Sequence, residues 1–317
     1  MYAGLGSVAV LLLAVVLLLP VARERAERAD VETAEEPRVS ERHPEEERPD
    51  GDVGPERQRP EEQRPEQPDG VVPPERQRPE LPRPEPEIKG SLVVVIDDVG
   101  NSLSDLEGFL ELDIPLTFAV LPQREFTREA ASRVAAAGHE VILHLPMQPI
   151  SEMDPGPGAI HVGMSPVEIE EVIRENLKTL PDIRGVNNHM GSRVTADPAT
   201  MNVVLQVLKE EGLFFLDSRT SVETVGRLTA EQHNLPYVER AVFLDNESNR
   251  DYIRNAVREG MQIAERNGHA VMIGHVMVNE LVEVLNEMYP FIQDEGFDLR
   301  YLSELVLSPE FDDDPRS

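Results

Sequence analysis

The chain has 317 residues, 60 acidic against 30 basic, with a formal charge of −30 and no cysteine. The missing cysteine excludes disulfides and thiolate metal sites, so any metal must rest on histidine and carboxylate. The acidic field argues against partners recognised through phosphate, nucleic acid first among them.

Residues 1–22 carry no charge, and their apolar run from Val8 is long enough for a signal-peptide core and, with its flanks, for a membrane span. A basic start is missing, Pro20 spoils the cleavage pattern before Ala22, and Arg23, Arg25 and Arg28 follow directly. The expectation is export with residues 1–22 as an N-terminal membrane anchor, a cleaved signal peptide being the alternative. The rest is then extracytoplasmic, in the periplasm or at the cell surface. Residues 23–87 are Pro, Glu, Arg and Gln, with Pro55-Glu-Arg-Gln-Arg-Pro-Glu61 repeated as Pro74-Glu-Arg-Gln-Arg-Pro-Glu80. Such composition is expected to be a disordered, semi-stiff linker rather than a packed unit.

From Ile88 short apolar runs alternate with helical stretches. Strands are expected at residues 92–96, 116–120, 141–143, 185–187, 214–216, 242–244 and 270–273. Ser165-Pro166 with Glu168 reads as a capping box with Pro at the first helical position, and Asp197-Pro198 opens a second helix. Gly138, Gly212 and Gly268 stand where helices should stop. Strand and helix alternate throughout, which predicts an α/β fold: a distorted (β/α) barrel of about seven parallel strands over residues 88–308, followed by an acidic tail at 309–317. An open doubly wound sheet is the alternative, although no Gly-rich phosphate loop follows the first strand.

Polar residues recur at the strand ends: Asp97-Asp98, His144, Asn187-Asn188-His189, Asp217-Ser218-Arg219, Asp245-Asn246 and Gly274-His275. In a parallel barrel these positions converge on the carboxyl face, where active sites are built. Adjacent carboxylates are costly unless a cation or a proton sits between them. One carboxylate and two histidines, Asp98, His144 and His189, are the set expected to hold a zinc-like divalent ion with an open position for water. Arg193 and Arg219 are candidates to orient Asp97 or bind a substrate carboxylate. Asp217 and Asp245 are expected behind the histidines, and Asn187 and Asn188 are expected to donate to substrate or to complete a turn. His43, His161 and His233 read as surface residues, and His139 and His269 as structural residues on the opposite face.

Val94-Val-Ile-Asp-Asp98, Gly138-His-Glu-Val-Ile-Leu-His-Leu-Pro-Met147, Gly185-Val-Asn-Asn-His-Met-Gly-Ser-Arg193, Phe214-Phe-Leu-Asp-Ser-Arg-Thr220 and Ile273-Gly-His275 together resemble the divergent polysaccharide deacetylase family, distant relatives of the NodB-type deacetylases. The resemblance implies a metal-dependent hydrolase removing acetyl groups from N-acetylated or O-acetylated envelope carbohydrate. It implies Asp97 as catalytic base, Asp98 and His144 as metal ligands, and His275 as the acid that protonates the leaving amine. Deacetylases place a second histidine four residues after the first; here that residue is Gln148, and His189 is its replacement. A chain without Trp, and with only five Tyr and nine Phe, is poor in faces for sugar rings. The alternative is therefore a non-catalytic metal-binding module of envelope assembly.

Overall fold

The computed structural model describes residues 88–308 apart from Pro181. The expected anchor, linker and acidic tail, and His43, lie outside the described residues. Among the described residues, no helix is long and apolar enough to cross a membrane.

In chain order the strands are β1 (Gly90–Val99), β2 (Thr117–Val120), β3 (Glu140–Met147), β4 (Gly185–Met190), β5 (Phe214–Asp217), β6 (Tyr237–Glu239), β7 (Val242–Phe243), β8 (His269–His275) and β9 (Phe297–Leu299). The helices are α1 (Ser104–Leu110), α2 (Thr127–Ala136), α3 (Pro166–Leu177), α4 (Pro198–Glu210), α5 (Gly226–His233), α6 (Arg250–Asn267), α7 (Asn279–Asp294) and α8 (Leu302–Val306). Local chemistry sets several boundaries. Ser165 and Glu168 form a reciprocal capping box that starts α3, and Asp197 accepts from the Thr200 N–H to start α4. Gly268 ends α6 in the left-handed region at φ 83°, which a side chain would strain.

All pairings are parallel, and the hydrogen-bonded order is β6-β5-β4-β3-β2-β1-β8-β7. The path ends are consecutive in the chain, separated only by Arg240 and Ala241. The Arg240 N–H donates to Asp217 O on β5, and the Ala241 N–H donates to Val271 O on β8. One broken strand is thus shared between both neighbours, and the sheet curls into a distorted barrel with its seam there. Two strands lie outside the sequence expectation. β6 and β9 have three residues each and lack a continuous apolar run. β9 pairs with Gly90, Ser91 and Leu92, leaving Val95 to Val99 of β1 for β2.

Alternation along the strands separates two packed regions. Leu92, Val94 and Ile96 face the helices, whereas Val93 and Val95 face the barrel interior with Ile142, Phe214, Leu216, Val238, Val271 and Ile273. Leu302, Leu305 and Val306 of α8 enter the same interior cluster and close its amino end. Thr117 Oγ1 and Glu140 Oε2 accept from the Leu302 and Ser303 N–H groups at the start of α8, holding it in place.

Candidate active site

The inward series of each strand can be followed past its apolar part. After Val93 and Val95 comes Asp97; after Ile142 comes His144; after Val271 and Ile273 comes His275. On β4, Val186 faces the helices, so Asn187 and His189 face inward and Asn188 does not. On β5 the inward series 214 and 216 leads to Ser218, leaving Asp217 on the other side. Asp98 has the wrong parity for the interior. It nevertheless reaches the site because its backbone is left-handed, φ 65°, at an irregularity in the β1–β2 register between Ile96 and Val99.

Three of the sequence-predicted atoms converge. Asp98 Oδ1 lies 2.9 Å from His189 Nδ1 and 3.2 Å from His144 Nε2, and the two ring nitrogens are 3.1 Å apart. Bonds of about 2.1 Å at tetrahedral angles would set such atoms about 3.4 Å apart, so small adjustments accommodate a zinc-like ion. The hydrogen bonds behind them fit the same purpose. Asn187 Nδ2 donates to Asp97 Oδ1 (2.9 Å) and Ser218 Oγ (3.2 Å), which leaves Asn187 Oδ1 to accept from His144 Nδ1 at 2.7 Å. His144 therefore carries its hydrogen on Nδ1, and its Nε2 lone pair is aimed at Asp98. Asp98 Oδ1 is itself buried without a well-aligned hydrogen bond. Lone pairs converging on one buried point call for a cation or a proton.

The electrostatics agree. Burial pushes Asp98 up, but His144 and His189 outweigh it and hold its carboxyl well below the usual carboxylate range. Burial pulls His144 down, but Asp97 and Asp98 outweigh it and raise the imidazole above its ordinary value, so a proton would compete with any metal for Nε2. Asp97 is raised above the ordinary carboxylate value by burial, against the opposing pull of His144 and His275. Asp97 and His275 are register partners on β1 and β8. Asp245 accepts both from the His275 backbone N–H, at 2.6 Å, and from His275 Nδ1, at 3.0 Å. Burial pulls His275 down, but Asp245, Asp97 and Asp98 together push it up to about 9. Phe243 stacks on the ring at 5.8 Å between centroids.

Other expected residues are placed elsewhere. Asp217 does not stand behind a histidine: its oxygens accept from the Arg219 N–H, Thr224 Oγ1 and Tyr237 Oη, as its outward parity requires. Arg219 does not orient Asp97; it pairs with Glu239 at 3.5 Å. Asn188 is not free to donate to substrate, since it donates to Met190 O and accepts from the Ser218 N–H, completing a turn. Asn187 likewise spends both amide hydrogens inside the site. Arg193 is exposed, and its backbone N–H bonds Gln148 O. Gln148 spends its side-chain oxygen on the Val162 N–H, at 3.1 Å. His161 is exposed, His233 bonds Asn202, His139 packs on Phe118, and His269 begins β8.

The structure adds Ser218 and Arg240. Arg240 donates to Ser218 O and Arg219 O and lies 3.7 Å over the Phe243 ring. Burial lowers its pKa, with Asp217 and Asp97 pulling the other way. Its signal was parity, since Arg240 follows inward-facing Val238 by two.

The profile of the divergent polysaccharide deacetylase family matches residues 94–306. An uncharacterized protein of Escherichia coli K12, YibQ, is 36% identical over 190 residues, spanning 60% of this chain and 60% of that protein. A protein of Haemophilus influenzae, also uncharacterized, is 29% identical over 225 residues, spanning 70% of this chain and 80% of its own length. In fold, a crystal structure of an uncharacterized protein from Agrobacterium tumefaciens C58 is similar with a TM-score of 0.66 at 21% identity, covering 71% of this chain and 92% of that one. With the family motifs gathered at one end of a parallel barrel, the chain belongs to the divergent polysaccharide deacetylase family.

Proposed function

We propose that this chain is an extracytoplasmic, metal-dependent hydrolase that removes acetyl groups from N-acetylated or O-acetylated envelope carbohydrate. The observation that carries the proposal is the convergence of Asp98 Oδ1, His144 Nε2 and His189 Nδ1 beside a raised carboxyl and a cationic imidazole. A divalent ion such as zinc, held by these three residues, would supply polarisation of the scissile carbonyl and acidification of the attacking water. Asp97 is the base: it is buried, held by Asn187, and its raised pKa strengthens it as a proton acceptor. His275 is the acid. Asp245 holds its Nδ1–H, leaving Nε2–H to donate to the departing amine or alcohol. Arg240 supplies positive potential beside Asp97. The apolar residues 1–22 support an anchor, and the linker a reach outward from the membrane.

The test is metal content of the purified full chain together with acetate release from acetylated saccharides. Bound stoichiometric zinc, acetate release, and loss of release in Asp97→Asn and His275→Ala are expected. Metal binding without acetate release from any substrate would favour the second reading, a non-catalytic envelope module, for which the scarcity of aromatic faces speaks. No metal uptake would refute both.

A further inference from the structure

Around the carboxyl end of the barrel most guanidinium groups have acceptors. Arg219 and Arg227 pair with Glu239, and Arg240 donates to two carbonyls. Arg124, on the loop between β2 and α2, is different. Its Nε is buried, and its side chain has no acceptor among the described residues. With 60 carboxylates in the chain, an acceptor would be easy to supply, and leaving a buried donor unmet is unfavourable.

The surroundings of Arg124 are built. Its N–H donates to Thr127 Oγ1, which in turn donates to Leu121 O. The preceding Gln123 is held left-handed, φ 54°, while its side chain donates to the buried Asn176. Asn176 donates onward to Gly158 O, tying the loop after β3 to the same frame. Gly156 on that loop lies directly against the guanidinium: a Cβ there would sit 2.2 Å from Arg124 Nη2. Asp154, on the same loop, turns its Oδ1 to the Gly156 N–H. β2, which leads to Arg124, pairs with β1 and β3, the strands of Asp97, Asp98 and His144.

We propose that Arg124 receives an oxyanion of the substrate, so that the preferred substrate is an acylated sugar carrying a carboxylate or a phosphate near the acyl group. This rests on the reading of the neighbouring site as a deacetylase. The planar fork of arginine matches either anion with two parallel hydrogen bonds. The acidic field disfavours polyanions attracted from a distance, whereas one part-buried guanidinium acts at contact range.

The experiment measures calorimetric binding and acetate release with the zinc-loaded full chain and three probes: N-acetylglucosamine, its lactyl ether N-acetylmuramic acid, and N-acetylglucosamine 1-phosphate. One or both anionic sugars should bind about 10–100-fold more tightly than the neutral one. Which of them does so identifies the anion. Arg124→Gln should abolish that preference while leaving neutral-sugar binding and the melting temperature in place, and Arg124→Lys should keep part of it. Equal affinity for all three probes would overturn the proposal and leave the deacetylase reading standing. So would a preference that survives Arg124→Gln but disappears in Arg193→Gln. No binding and no acetate release with any probe would overturn the deacetylase reading and this proposal with it.

Discussion

Replacing Asp245 by Asn removes the carboxylate behind His275 and turns the electrostatics of the site into a measurable pKa. The His275 ring is held at about 9 against an ordinary 6.5, with Asp245 the largest favourable cause. That span corresponds to about 3.4 kcal/mol, and because the side chain is 33% exposed, screening brings it to roughly 2 kcal/mol. The folded state binds the proton more tightly than the unfolded one. The contribution is therefore complete below about pH 6.5 and is lost as pH rises through about 9. From His275 alone the wild-type chain, stripped of metal with EDTA, should lose roughly 2 kcal/mol of stability between those limits, with His144 adding a separate loss in the same direction. Asp245→Asn should flatten that slope. It should also lower stability by about 1–3 kcal/mol at every pH, because its amide would face the His275 N–H that Asp245 Oδ2 now accepts. The slope is thus the informative quantity, measured by urea unfolding at closely spaced pH values. The His275 ring, assigned by comparison with His275→Gln, is titrated in parallel by NMR. A wild-type ring titrating near 6.5, or a variant ring still near 9, would refute the argument. In acetate-release assays, where a bound cation offsets the pull of Asp97 and Asp98, the alkaline limb should lie below about 9 and should move to lower pH in Asp245→Asn.

Four further outcomes follow from the geometry. His189→Ala should weaken zinc binding by at least about 100-fold in competition titrations, whereas Gln148→Ala, whose side chain serves Val162, should change it less than about threefold. Asn187→Ala strands buried partners on Asp97 and His144, so urea midpoints should report a loss of about 2–4 kcal/mol and zinc affinity should drop about 10–100-fold. Arg240→Gln removes positive potential from Asp97, so the acid limb of kcat/KM should move to higher pH, where an unmoved limb would show that the two do not couple. Leu302→Ala, a fully buried plug residue, should cost about 2–5 kcal/mol of stability.

Strand ends, caps and alternation are local, and they were readable: the capping box at Ser165, the stop at Gly268 and the polar residues after each apolar run all stand where their neighbours in the chain dictate. From these the sequence by itself determined a parallel α/β sheet with its polar residues gathered at the carboxyl end, whereas its closure into a barrel, rather than an open doubly wound sheet, was decided by the seam at Arg240 and Ala241. The three-residue strands β6 and β9 were not readable, since their identity comes from the partners they meet at the seam and beside β1. Parity could have separated Ser218 from Asp217 and marked Arg240, but only once the inward residue of each strand is known, which is a property of the assembled sheet. Tertiary structure alone decided that Asp98 turns inward, since a left-handed backbone at a register irregularity breaks the alternation that every neighbouring residue obeys. It also decided which charges are spent on each other: Arg219 is bound to Glu239 while Arg124 is not paired, because pairing depends on distances that sequence spacing does not set.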